Sequence, residues 1–172
     1  LGNAQDFGNL TASTRNFGCA SSSTRGLFCH GANGNGPAEV NTISFVTIAT
    51  TGYSADFGDS TFAGGHRAWG SNAIRGVAFG GELQPSGAKT NIIEFATIAT
   101  LGNSLDFGDS ITGIGRGSSA NSPTRMVYNT GNYNSSPSGL EFIQIMTTGN
   151  SVEYGDLANG RWGPAGTSNG HG

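Results

Sequence analysis

Apolar residues in this chain come in short runs of alternating or continuous pattern, separated by Gly, Asn, Ser and Pro. The run Asn41-Thr-Ile-Ser-Phe-Val-Thr-Ile-Ala-Thr50 returns as Asn91-Ile-Ile-Glu-Phe-Ala-Thr-Ile-Ala-Thr100 and as Gly139-Leu-Glu-Phe-Ile-Gln-Ile-Met-Thr147. Val, Ile, Phe and Thr fill these runs, which reads as β-strand. No window of helical length places apolar residues at 3.6 spacing, so no helix is predicted.

The runs belong to an internal repeat of about fifty residues. Asp6-Phe7-Gly8 recurs as Asp56-Phe57-Gly58, Asp106-Phe107-Gly108 and Glu153-Tyr154-Gly155. Arg25, Arg75 and Arg125 each follow the first acid by 19 residues. Each unit offers four strand candidates. The first follows Arg15, Arg67, Arg116 or Arg161, and the second follows Arg25, Arg75 or Arg125. The third is the Ile/Phe-rich run, and the fourth carries the Asp-Phe-Gly motif. The predicted units are 1–9 (the last strand of a preceding unit), 10–58, 59–108, 109–155 and 156–172 (the start of a further one). Both ends fall in mid-repeat, so a fragment of a longer chain is expected.

Four short antiparallel strands per fifty residues suit the blade of a β-propeller. The second unit runs from Arg67 through Val77-Ala78-Phe79-Gly80-Gly81 and Asn91-Ile92-Ile93-Glu94-Phe95 to Asp106-Phe107-Gly108. In this order the repeat resembles kelch-like repeats. At the repeat's glycine-pair position only the second unit keeps both glycines, Gly80-Gly81, and Phe or Tyr replaces the usual Trp. The resemblance implies an all-β fold of kelch-like blades, with an incomplete ring in this chain. The T-x-G-N-x-x-D-F-G-D wording also resembles repeats in large structural and appendage proteins of marine bacteriophages. That likeness implies a virion or tail-fibre component at an extracellular or virion surface.

Composition narrows the partners. Glycine supplies 30 of 172 residues, the net charge is −3 and only 11% of residues are charged. The chain has one lysine, Lys89, and no Lys/Arg cluster, so nucleic-acid binding lacks its electrostatic footprint. No apolar run reaches the length of a membrane span. The expected partners are other copies or appendage subunits, and host-surface glycans.

Several residues invite chemistry. Asp56/Asp59 and Asp106/Asp109 set carboxylates three apart and are weak candidates for calcium. The simpler reading is turn capping by Asp. Seven of the eleven acids lie in these motifs, at fixed distance from an arginine. Asp6, Asp56, Asp106 and Glu153 are therefore expected to make structural contacts with Arg25, Arg75 and Arg125, such as Asp56 with Arg75. Cys19 and Cys29 flank a turn and could face each other across a hairpin, either as a disulfide or as packing positions. His30, His66 and His171 share no repeat position.

The second-to-third-strand connections, 32–39, 82–89 and 130–137, do not repeat. Asn33, Asn35, Glu82, Gln84, Lys89, Asn132, Tyr133 and Asn134 are the candidate binding-loop residues. No cofactor motif, nucleophile elbow or metal-protease signature occurs. The expectation is a non-catalytic structural or recognition module. A carbohydrate-active propeller enzyme and a protein-binding adaptor are the alternatives.

Overall fold

The computed structural model describes residues 2–29, 31–33, 39–131, 138–161 and 163–168, and every regular element among them is a β-strand. After β1 (Thr14–Arg15), the first sheet has the order β2 (Gly18–Ser21), β3 (Arg25–Cys29), β5 (Thr42–Thr47) and β6 (Ala55–Asp59). Between its second and third strands, β4 (Ala32–Asn33) turns aside to pair with β1. The second sheet has the order β7 (Ala68–Ser71), β8 (Arg75–Phe79), β10 (Ala88–Thr97) and β11 (Leu105–Ile114), with β9 (Glu82–Leu83) paired to β10. The third has β12 (Ser119–Asn121), β13 (Arg125–Asn129), β14 (Gly139–Gln144) and β15 (Val152–Asp156). All strand pairs within the sheets are antiparallel, and the four main strands of each sheet lie side by side in chain order, as expected of a meander. Repeated antiparallel sheets of four or five strands are thus the architecture.

The first hairpin of each unit is fixed locally. Ser22, Asn72 and Ser122 occupy one repeat position, and the side-chain oxygen of each accepts backbone N–H groups two and three residues on. This is side-chain mimicry of a turn. The arginine that follows opens the second strand in every unit.

The Asp-Phe-Gly motif is a β-bulge. Register slips between Ile43 and Ser44, between Ile93 and Glu94, and between Leu140 and Glu141. In each case the fourth strand carries one extra residue: Phe57, Phe107 or Tyr154. The next residue is Gly58, Gly108 or Gly155, with φ of +144°, +145° and +139°. Bulges bend a strand and re-aim a side chain. Here Phe57 and Phe107 turn into the core, each against the third strand's aromatic, Phe45 or Phe95.

The core lies between the sheets. Leu27, Cys29, Ile43 and Phe57 of the first sheet meet Trp69, Ala78, Ala96 and Ile98 of the second. Val77, Phe79, Ile93 and Phe107 of the second meet Met126, Tyr128, Ile143 and Ile145 of the third. Apart from Trp69 and Met126, each interface buries the same repeat positions, so an isolated unit leaves both faces bare.

The cysteines do not form a disulfide; both thiols are free. The β2–β3 register pairs Gly18 with Cys29 and Cys19 with Phe28. That offset of one residue sends the two side chains to opposite faces of the sheet.

Candidate functional site

Backbone hydrogen bonds tie each unit to the next at one set of positions. The N–H groups of Gly52, Gly102 and Gly149 donate to the carbonyls of Phe7, Phe57 and Phe107, at 2.7–2.8 Å. Those of Ser54, Ser104 and Ser151 donate to Asn9, Asp59 and Asp109. A β-carbon on Gly8, Gly58 or Gly108 would lie 2.2–2.5 Å from the backbone of Gly52, Gly102 or Gly149. Glycine therefore serves twice here, for its φ and for the close approach of the next unit's turn. At the first-strand edge, Ser71 Oγ donates to Ser21 O at 2.9 Å, Asn121 Nδ2 to Ser71 O, and Ser168 Oγ to Asn121 O at 3.0 Å. In all of these the later unit donates and the earlier one accepts.

The acid–arginine contacts expected from spacing are not made. Asp56 and Asp106 lie on the fourth strand of one sheet and their arginines on the second strand of the next sheet, as with Asp56 on β6 and Arg75 on β8. Arg25 Nη1 instead donates to Ile98 O at 3.0 Å, and Arg75 Nη1 to Ile145 O at 3.2 Å, each bond reaching into the following unit. The three guanidiniums lie over Phe45, Phe95 and Phe142, at 4.9, 4.2 and 4.7 Å from the ring centres. Asp6, Asp56, Asp106 and Glu153 are exposed. Asp6 Oδ1 accepts from Gly8 N, a local turn bond. Asp59 and Asp109 accept from the next unit with their carbonyls, and their N–H groups donate to Asn103 and Asn150 Oδ1 at 3.0 Å. Among the described residues, no three His, Cys, Asp or Glu side chains gather to hold a metal ion.

A buried polar node sits at one repeat position, unforeseen from the sequence. Glu94 is fully buried, and its Oε1 accepts from Arg67 Nη1 at 2.5 Å. Its Oε2 accepts from the backbone N–H of Thr61 at 2.8 Å and from the Thr61 hydroxyl. Arg67 also donates to Gly80 O at 2.9 Å and to Ser60 Oγ at 3.2 Å, and lies over Phe62. In the third unit Glu141 accepts from Tyr128 Oη at 2.5 Å, Ser151 Oγ at 2.5 Å and Ile111 N at 3.1 Å. Burial and this bond to Glu141 push the Tyr128 phenol well above its ordinary range. Ser44 holds the position in the first unit and meets Thr11 Oγ1 at 2.9 Å. The signal available in the sequence was an acid in the middle of two otherwise apolar strands.

The candidate loops divide. Asn35, Asn132, Tyr133 and Asn134 lie outside the described residues, as do His30 and His171. Asn33 is in β4 opposite Thr14. Glu82 and Lys89, expected on a presenting loop, instead pair across β9 and β10, and Glu82 is only 5% exposed. Its carboxylate stands at the centre of a mixed charge cluster joining three units. Arg116 donates to it through Nε and Nη2, at 3.1 and 3.3 Å, and Lys89 Nζ lies 3.8 Å away. His66 Nδ1 is 3.2 Å from Oε2 but outside hydrogen-bonding geometry. Burial, then the Arg116 charge, hold the His66 pKa below its ordinary value of 6.5. Beside them, Glu39 accepts from Gly65 N at 3.0 Å and Gln84 N at 3.1 Å. Burial raises the Glu39 pKa against these bonds.

This cluster breaks the repeat, since Lys89 stands where the first unit has Glu39, and Ala32 and Asn132 stand where the second has Glu82. A hollow of about 230 Å³ lined by Asn16, Phe17, His66, Arg67, Arg116 and Gly163 adjoins it. Comparison with protein-family models and with curated proteins finds no match.

Proposed function

We propose that these sheets are blades of a kelch-like β-propeller, and that the chain is a non-catalytic structural and recognition module of an extracellular assembly, a phage virion appendage. One observation supports it above others. The polar groups that recur from unit to unit (the second-strand arginines, the bulge glycines, the Ser and Asn of the first-strand edge) engage their own or the neighbouring unit. Repeating contacts of this kind build an array, and they leave recognition to the connections that vary. Variable loops of small polar residues suit glycans or neighbouring subunits, with strength gained by repetition. Immunogold labelling of purified virions, with glycan-binding and glycosidase screens of the protein, tests the reading. Robust turnover removed by one acidic substitution would overturn it, and failure to label particles would remove the virion assignment.

A second reading, a carbohydrate-active enzyme, draws on the Glu39–His66–Glu82–Arg116 cluster, because an active site must break the repeat. Both carboxylates are already held by backbone N–H groups or cations. Retained glycosidase turnover in Glu82→Gln would remove that reading.

A further inference from the structure

One backbone conformation recurs where the side chains do not. Asn16, His66 and Arg116 hold one repeat position at the entry to the first strands, with φ of +56°, +57° and +63°. Asn and His adopt that left-handed conformation more readily than Arg, yet Arg116 is held in it. The hollow of about 230 Å³ lies against this position and the next one, Phe17 and Arg67. Its titratable lining is His66, Arg67 and Arg116, all from the second and third units, and no acid lines it. Carboxylates touch these cations without lining the hollow: Glu82 accepts from Arg116, and Glu94 from Arg67. Arg15 bears on His66 electrostatically, and Lys89 lies 3.8 Å from Glu82. Arg15, Arg67, Lys89 and Arg116 thus outnumber Glu39, Glu82 and Glu94, in a chain whose net charge is −3.

Two nitrogens of this lining have no hydrogen-bond partner. Arg67 spends Nε on Gly80 O and Nη1 on Ser60 and Glu94, but its Nη2 is buried and unpartnered. That side chain is only 1% exposed. His66 Nδ1 is likewise buried and unpartnered, 3.2 Å from Glu82 Oε2. A buried guanidinium N–H calls for an acceptor, and so does an imidazole once protonated. The Arg116 and His66 side chains are 32% and 18% exposed, so solvent reaches the hollow past them.

We propose that this hollow is a binding site for a small oxyanion group, a carboxylate or a sulfate, with His66 and Arg116 at its mouth and Arg67 at its base. Guanidinium groups suit both anions. The bound group accepts from Arg67 Nη2, directly or through a water, and gives His66 a countercharge. Such a site needs only the packing of the second unit between its neighbours, whether or not the sheets are blades. Binding should raise the His66 pKa, which burial and then Arg116 hold below its ordinary 6.5. By reciprocity, binding tightens as pH falls. Glu82 and Glu39 oppose an anion. Glu39, whose pKa burial raises, loses its charge on acidification, which works in the same direction.

A carboxylated sugar and a sulfated one carry the same chemistry, so the probes separate them. Imidazole signals are followed by nuclear magnetic resonance from about pH 5 to about pH 8, in sodium sulfate, sodium glucuronate or sodium chloride at matched ionic strength. The His66 signal is assigned by its loss in His66→Asn, and the other two histidines serve as internal references. Relative to chloride, sulfate or glucuronate should raise the His66 pKa by about one unit, equivalent to about tenfold tighter binding to the protonated form. A response to either anion supports the site, and the stronger one identifies the group it prefers. Phe17→Glu sets a carboxylate in the lining at an exposed position. It should raise the His66 pKa with no anion added and abolish the response to both, whereas Phe17→Gln should keep it. A His66 pKa indifferent to both anions, a rise shared equally by all three histidines, or a full response in Phe17→Glu would overturn the proposal.

Discussion

The backbone N–H of Arg116 donates to the carbonyl of His66 at 2.9 Å, and both residues are left-handed, with φ of +63° and +57°. His66 N donates in turn to Asn16 O at 3.0 Å, and Gly163 N to Arg116 O at 2.9 Å. Asn16 and Gly163 are left-handed as well, at +56° and +62°. One repeat position in four successive units therefore forms a column of backbone hydrogen bonds along the array. The conformation costs non-glycine residues about 1–2 kcal/mol each, and Asn bears it best. The column persists because each residue is over-determined by the units on either side. It also carries His66 and Arg116 into the Glu82 cluster.

That placement makes stability pH-dependent through His66. Its pKa is depressed on folding by burial and by Arg116, with Arg15 adding to the effect and Glu82 opposing it. The unfolded chain then binds the proton more readily than the folded one. Stability from this group is fully present above the ordinary value of 6.5 and falls as pH drops below it. Glu39 runs the other way. Its raised pKa means that its contribution is lost as pH rises above its ordinary 4.5, so it partly offsets His66 at the acid end. Calorimetric melting between about pH 8 and pH 5 should show Tm falling, and His66→Asn should flatten that fall while keeping the left-handed backbone. An identical pH profile in His66→Asn would contradict the assignment.

The strands were legible because periodicity and turn residues are local properties, and the chain supplied its own comparison. In the three complete units all four strand candidates appear, from Gly18–Ser21 to Val152–Asp156, whereas the described residues around Asp6 and after Arg161 form no strand. What the sequence hid depends on pairing. The bulge at Phe57 exists only relative to Ile43 and Ser44 across the sheet, so Asp-Phe-Gly read as a capped turn or a cation loop. The Asp56–Arg75 pairing failed for a related reason, since constant spacing along a chain does not make two strands neighbours. Glu82 and Lys89 read as exposed loop residues because nothing local announced β9 or the arrival of Arg116 from the next unit.

The Arg67–Glu94 pair should be costly to break from one side. Both side chains are at most 1% exposed, so Arg67→Ala leaves a buried carboxylate without its cation. The expected loss is about 3–5 kcal/mol in urea unfolding. Replacing both, as Arg67→Met with Glu94→Gln, should recover more than half of it, because the buried charge goes too. A double variant no more stable than Arg67→Ala would show that the loss comes from Arg67 packing over Phe62 and Trp69 rather than from charge.

Gly58 and Gly155 separate backbone strain from crowding. Their φ values are +144° and +139°, but only at Gly58 would an added β-carbon meet the turn of a following unit, 2.4 Å from Gly102 O. Alanine at either position carries strain of about 1–3 kcal/mol. At Gly58 overpacking against backbone should add about 1–3 kcal/mol. Urea unfolding of the two variants at low protein concentration measures the difference. Equal losses would mean that the turn at Gly102 yields without cost, and that the glycine serves φ alone.

The two thiols should differ sharply in reactivity. Cys29 is buried, points into the first interface and contacts Ser60 Oγ at 3.1 Å. Burial is the main cause that pushes its pKa up to about 11, against the lowering effect of Arg67. Near pH 8 only about one such thiol in a thousand is the reactive thiolate. Cys19 lies one residue out of step across the hairpin, on the opposite face, and is exposed. Neighbouring groups still raise its pKa by desolvation, so it should react more slowly than a free cysteine but well ahead of Cys29. Maleimide labelling of the native chain, read by mass spectrometry, should reach one label per chain, with the second appearing only on unfolding. The labelled site should be Cys19, and Cys19→Ser should leave the native chain unlabelled on the same timescale. Rapid double labelling would mean that the first interface opens readily, and no label on either cysteine that Cys19 is covered in solution.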